Sequence, residues 1–124
     1  PLSQQALAVI RDVWDLTPGN GLLLPSIRSS VKPLSENAFN AALRRMGYGQ
    51  DEMVAHGFRS SASTILNERG FNPDHIESAL AHQDEDDIRR AYNRATYLPE
   101  RVKLMQSWAD LLDQFRKQAV KRVA

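Results

Sequence analysis

Four side chains in this sequence are of the kinds that act on a phosphodiester: His56, Arg59, His82 and Tyr92. His56 and Arg59 stand three apart in the run His56-Gly57-Phe58-Arg59, so a helix beginning at or before His56 turns both toward one side. A guanidinium fork matches the non-bridging oxygens of a phosphate. In a partly desolvated pocket it stabilises the charge that builds as the phosphorus is attacked. A phenol is scarcely ionised at neutral pH, so a nucleophilic tyrosine needs cationic, hydrogen-bonding groups around the phosphate. Arg59 and the two histidines are such groups. Each residue also has a plainer reading. Alone, Arg59 is a surface cation, His56 a capping or core histidine, and His82 a loop histidine ahead of the acidic run Asp84-Glu85-Asp86-Asp87. Tyr92 and Tyr97, the two candidate nucleophiles, are each satisfied as half-buried aromatics whose hydroxyls find a partner. His75 falls on the polar side of its helix and is expected to face solvent.

The elements that must carry these residues are helical. Ser3 caps a helix with apolar positions Leu7, Ile10, Val13 and Trp14, which the breakers Thr17-Pro18-Gly19-Asn20-Gly21 end. Leu22 to Leu24 read as a short extended piece stopped by Pro25, and Ser26 to Pro33 as a polar, basic loop. Ser35 is expected to cap the next helix, with Phe39, Ala42, Leu43 and Met46 as its stripe and Gly47 as its end. Phe58, Ala62, Ile65 and Leu66 mark a third helix, with Arg59 near its start and Gly70 as C-cap. Asn72-Pro73 opens a fourth, with Ile76, Ala79 and Leu80 buried and a stop near His82. The acidic run favours the positive end of a further helix bearing Ile88, Ala91 and Tyr92. Pro99 starts the last, with Val102, Met105, Trp108 or Ala109, Leu112 and Phe115 on one face.

With 124 residues the chain is of single-domain size, and its 42% hydrophobic and 25% charged residues are ordinary for a soluble globular protein. No stretch approaches the roughly 20 apolar residues of a membrane span. The absence of cysteine excludes disulfides and thiolate metal sites, and the three histidines stand far apart without paired carboxylates. There is no Gly-rich phosphate loop and no repeat. A net charge of +1 is weak support for nucleic-acid binding, although basic residues gather at Arg89, Arg90, Arg94 and Arg101 and again at Arg116, Lys117, Lys121 and Arg122. The start Pro1-Leu2-Ser3, without initiator methionine or signal peptide, reads as that of a cut fragment.

Three separated segments together resemble the catalytic core of tyrosine recombinases, most nearly the phage and genomic-island integrases of the P4 type. They are His56-Gly57-Phe58-Arg59-Ser60-Ser61-Ala62-Ser63-Thr64, Leu80-Ala81-His82 and Ala91-Tyr92-Asn93-Arg94-Ala95, with compatible spacing (82 − 56 = 26 and 92 − 82 = 10). Pro1-Leu2-Ser3, Arg45-Met46-Gly47-Tyr48 and the stretch from Glu100-Arg101 to Met105-Gln106-Ser107-Trp108-Ala109-Asp110 follow in the order that group shows, so the resemblance covers nearly the whole chain.

The resemblance implies that Tyr92 attacks the scissile phosphate to form a 3′-phosphotyrosyl link, leaving a 5′-hydroxyl that can attack a partner strand. The energy of the broken bond is kept in the link, so no cofactor is implied. Arg59 would clamp the phosphate, His56 would support proton transfer and orientation, and His82 would add a hydrogen bond, while Tyr97 falls outside the motif. The family also uses an arginine from an earlier helix and a lysine from a β-hairpin. Both are expected ahead of Pro1, since Arg11, Arg28 and Lys32 occupy the wrong segments.

The expected fold class is therefore mainly α: a multi-helix C-terminal portion, residues 1–124, of a DNA breaking-rejoining catalytic domain. The upstream β-hairpin and the arm-binding and core-binding domains are expected to be absent, and the fragment alone to be inactive. Lys32, Arg44 and Arg45 are candidates for DNA-backbone contacts. The implied partners are double-stranded attachment-site DNA and further copies in a tetramer, with possible exchange of the C-terminal helix and no membrane. The implied location is the cytoplasm of a bacterial host, at the nucleoid. The competing class is a non-catalytic helical module that binds DNA or protein. The two part on whether His56, Arg59, His82 and the Tyr92 hydroxyl open onto one basic cleft.

Overall fold

A computed structural model describes residues 1–17, 21–81 and 96–123 of the chain. These residues are mostly helical, with one small two-stranded sheet. They fall into two compact groups, Gln5–Ser60 and Pro1–Gln4 with Ser61–Ala124.

In the first group, α1 (Gln4–Leu16) runs to the expected breakers, where Thr17 takes over. The Thr17 hydroxyl reaches back to the Val13 carbonyl at 3.0 Å and forward to that of Leu23 at 3.3 Å. The stretch expected to be a loop is instead an antiparallel hairpin of β1 (Pro25–Ser26) and β2 (Ser29–Pro33), with Pro25 opposite Pro33 and Ser26 opposite Ser29. Proline at the rim of both strands withholds a ladder donor and keeps the pair short. The ladder still extends one step further, Leu34 N–H to Leu24 C=O at 2.9 Å. That extension explains why Ser35 is not the next cap. It ends the hairpin and accepts from Ala38 N–H in a turn, and α2 (Ala38–Arg45) begins after Asn37.

Helix α2 closes as expected at Gly47, whose φ of +95° lets Tyr48 N–H bond back to the Leu43 carbonyl. Its stripe is only partly covered: Leu43 is buried, whereas Phe39 and Met46 are more than half exposed. A tight turn over Gly49–Met53, with Glu52 and Met53 N–H both on the Gly49 carbonyl, then feeds α3 (Ala55–Glu68), of which residues 55–60 belong to this group.

The second group holds the core. The end of α3 is a Schellman motif: Gly70 N–H bonds the Asn67 carbonyl and Phe71 N–H the Leu66 carbonyl, while Phe71 packs against the cluster containing Leu66. Helix α4 (Pro73–Leu80) starts on Asn72, whose side chain accepts from Asp74 N–H at 2.9 Å, as Asn-Pro predicts. Ile76 on α4 and Leu104 on α5 (Leu98–Val123) meet Leu66, with Ala79, Leu80 and Trp108 around them. Each such side chain contributes roughly 1.5–3 kcal/mol by leaving water.

Helix α5 buries part of the expected face and part of another. Ala109 is inside and Trp108 packs on the core as expected, but Leu104 and Leu111 are buried beside them, whereas Val102 and Leu112 are nearly half exposed, because the packing of α4 on this helix favours the Leu104 side. His75 also departs from expectation. It is half-buried, with its ring 4.9 Å from that of Tyr97 and tilted 48° to it. The expected helix after the acidic run, with Arg89, Arg90 and Arg94, lies outside the described residues.

Candidate active site

His56 and Arg59 occupy the first turns of α3, three residues apart and on one face as the spacing requires. His56 is exposed and Arg59 half-buried. The Nε of Arg59 is buried and has no partner among the described residues. A guanidinium one turn beyond an exposed imidazole, near the positive end of a helix, suits an anion placed against both.

The start of α3 is set by its neighbour α2. Asn40 accepts from Ala55 N–H through Oδ1 at 2.8 Å, and Arg44 donates from Nη2 to the Met53 carbonyl. Within the helix, Gly57 leaves room for Met53: a Cβ at position 57 would stand 3.2 Å from the Met53 Sδ, tighter than ordinary contact. Sequence reasoning named neither Asn40 nor Met53. No local pattern marks a mid-helix asparagine as the cap of another helix.

His82 and Tyr92 lie outside the described residues. The residue before His82 is described: Ala81 caps α4 in the left-handed region at φ 53°, with its N–H on the Glu77 carbonyl. On the far side of the same stretch, Tyr97 is also left-handed at φ 45°, its carbonyl accepting from Arg101 N–H at 2.8 Å.

Of the three candidates for DNA-backbone contact, Lys32 is exposed on β2 and Arg45 exposed in the last turn of α2. Arg44 is turned inward, half-buried on the Met53 carbonyl. Among the described residues no group of three or more His, Cys, Asp or Glu is arranged to hold a metal ion. Nor is any described helix long and apolar enough to cross a membrane.

The chain is mostly helical and presents H-x-x-R at the start of a helix whose first amide is met by Asn40. Comparison with known proteins names the group. The phage integrase family model matches residues 1–98. The chain is 49% identical to the prophage integrase IntA of Escherichia coli K12 over 112 residues, which is 90% of this chain and 27% of that protein. It is 38% identical to the integrase of enterobacteria phage P4 over 123 residues, 97% of this chain and 28% of the relative. With the integrase of Shigella phage Sf6 it shares 36% over 115 residues, 92% of this chain and 30% of the relative. No solved structure matches. This chain belongs to the phage integrase family, and it spans less than a third of the length of these relatives.

Proposed function

We propose that this chain is the C-terminal part of the catalytic domain of a tyrosine-type site-specific recombinase, acting on double-stranded DNA. The observation that supports the reading is that the family match spans residues 1–98, a range that contains His56, Arg59, His82 and Tyr92. The structure adds that the first two share a face of α3.

In this mechanism the Tyr92 phenol oxygen bonds to the scissile phosphorus as the bond to the 5′-oxygen breaks. The phenolic proton is lost and the leaving oxygen takes one up. The Arg59 guanidinium supplies donors for the non-bridging oxygens, which carry more charge in the transition state than before it. His56, one turn away and open to solvent, orients the same phosphate and assists proton transfer. His82 adds a hydrogen bond. The phosphotyrosyl link conserves the energy for rejoining, so the step draws on no nucleotide cofactor. Lys32 and Arg45, both exposed, contribute backbone contacts that position the DNA.

Taken alone, the 124 residues are proposed to cleave DNA very slowly, since removing cooperating transition-state contacts costs several powers of ten. The test supplies the upstream arginine and lysine and presents a suicide DNA substrate that traps the covalent product. Tyr92→Phe is expected to abolish trapping and Tyr97→Phe to preserve it. Trapping that survives Tyr92→Phe overturns the assignment.

A further inference from the structure

The chain enters α3 through a short stretch that α2 grips at two points. Asn40 Oδ1 accepts from Ala55 N–H at 2.8 Å, satisfying one of the amides that a helix start leaves without an internal partner. Arg44, one turn further along α2, donates from Nη2 to the carbonyl of Met53. The two side chains are four residues apart and so share a face of α2. Their main-chain partners flank Val54 and immediately precede His56. Both line one cavity of about 430 Å³ with Asn37, Ala41, Gln50 and Val54. From the helix side, Met53 lies close against Gly57.

Arg44 was a candidate for a DNA phosphate contact on sequence grounds, and its surroundings argue for another role. Nη2 is engaged on a main-chain carbonyl. Nε and Nη1 expose practically no surface and have no partner among the described residues, so a phosphate oxygen reaches them only if the side chain moves. A guanidinium held in this way fixes the carbonyl it bonds. Together with Asn40 it fixes the origin of α3, and through that origin the directions of the next side chains.

We propose that Asn40 and Arg44 are positioning residues for the His56–Arg59 pair, and that Arg44 makes no phosphate contact. The proposal rests on the recombinase reading above. Its signature is a loss of rate without a loss of DNA affinity, because misplacing a catalytic group by about 1 Å costs up to roughly a hundredfold in rate while leaving binding contacts elsewhere intact.

The experiment uses the protein with the upstream residues supplied and compares Asn40→Ala, Asn40→Asp, Arg44→Met and Arg45→Met. Single-turnover formation of the Tyr92 adduct at saturating DNA is expected to fall about tenfold or more for Asn40→Ala and Arg44→Met. Their Kd for DNA, and the slope of log Kd against log salt, should not change. Asn40→Asp keeps an acceptor for Ala55 N–H and should keep most of the rate. Arg45→Met, on the exposed side, should instead weaken binding and reduce the slope by about 0.9, as loss of one phosphate contact does.

Amide exchange in the 124-residue chain checks the geometry independently: Asn40→Ala should speed exchange at Ala55 while Leu104 stays protected. If Asn40→Ala loses the fold, Asn40→Gln carries the test, since it keeps the amide but moves the acceptor by one methylene group, and it too should be slow. A reduced salt slope for Arg44→Met makes Arg44 a phosphate contact and overturns the proposal, as do unchanged rates in both variants. A wild-type protein that forms no Tyr92 adduct removes the recombinase reading, and the proposal falls with it.

Discussion

Residues Ser61–Ala124 and residues Gln5–Ser60 are stabilised in different ways. Residues Ser61–Ala124 surround Ile76 of α4, which is fully inaccessible, with Leu66, Leu104, Phe71 and Trp108 from α3, α5 and the Gly70 turn. In residues Gln5–Ser60, Leu43 is the one buried apolar side chain among the described residues, while Leu16, Ile27, Val31 and Met46 are 80, 96, 76 and 65% exposed. What orders this part at His56 is a set of directed polar contacts: Asn40 on Ala55, Arg44 on Met53, and Glu52 on Gly49. Apolar burial is strong but weakly directional, whereas a hydrogen bond adds about 1 kcal/mol and specifies where an atom sits. The part of the chain that carries His56 and Arg59 is the part ordered more by directed polar contacts than by burial.

The contrast can be broken by mutation. Ile76→Ala should cost the most, about 3–4 kcal/mol in urea unfolding, because it opens a void among three helices. Leu43→Ala should cost less, about 2 kcal/mol, since its partly exposed neighbours can close over the gap. A Leu43→Ala loss equal to that of Ile76→Ala would show a second core of comparable weight and end the distinction. Asn72→Ala removes the α4 cap and should lower stability by about 1 kcal/mol, visible as earlier thermal unfolding.

Ala81→Gly should raise stability by about 0.5–1 kcal/mol, because glycine adopts φ 53° without the Cβ penalty that alanine carries. A destabilised Ala81→Gly variant would mean that the Ala81 methyl makes a packing contact worth more than the relieved strain. The smallest effect belongs to Ile27→Ser at the hairpin tip, which should shift stability by no more than about 0.5 kcal/mol while improving solubility.

Helix ends were the most legible features. Asn72-Pro73, Gly47 and Gly70 each stop or start a helix where expected, because capping depends on the residue's own backbone freedom and on amides within one turn. The hairpin at Pro25–Pro33 was not legible: neither strand alternates apolar and polar residues, and pairing appears only when the two strands meet. Ser35 looked like a cap because nothing local reveals that Leu34 is still bonded to Leu24. In the site, the His56–Arg59 spacing was readable, but the inward turn of Arg44 was not, since it depends on where the Met53 carbonyl lies in space.

What the amino-acid order by itself determined is local: most helix ends, that His56 and Arg59 share a face, and that the helix opened by Asn72-Pro73 stops near His82, which it does at Leu80. What only the tertiary structure decided is that Leu104 and Leu111 rather than Val102 and Leu112 are covered on α5, that His75 lies against Tyr97, and which of two adjacent arginines serves the protein's own backbone. The physical reason is range. Backbone angles and capping are settled within a few residues, but burial and side-chain partners belong to a surface that a single segment does not carry.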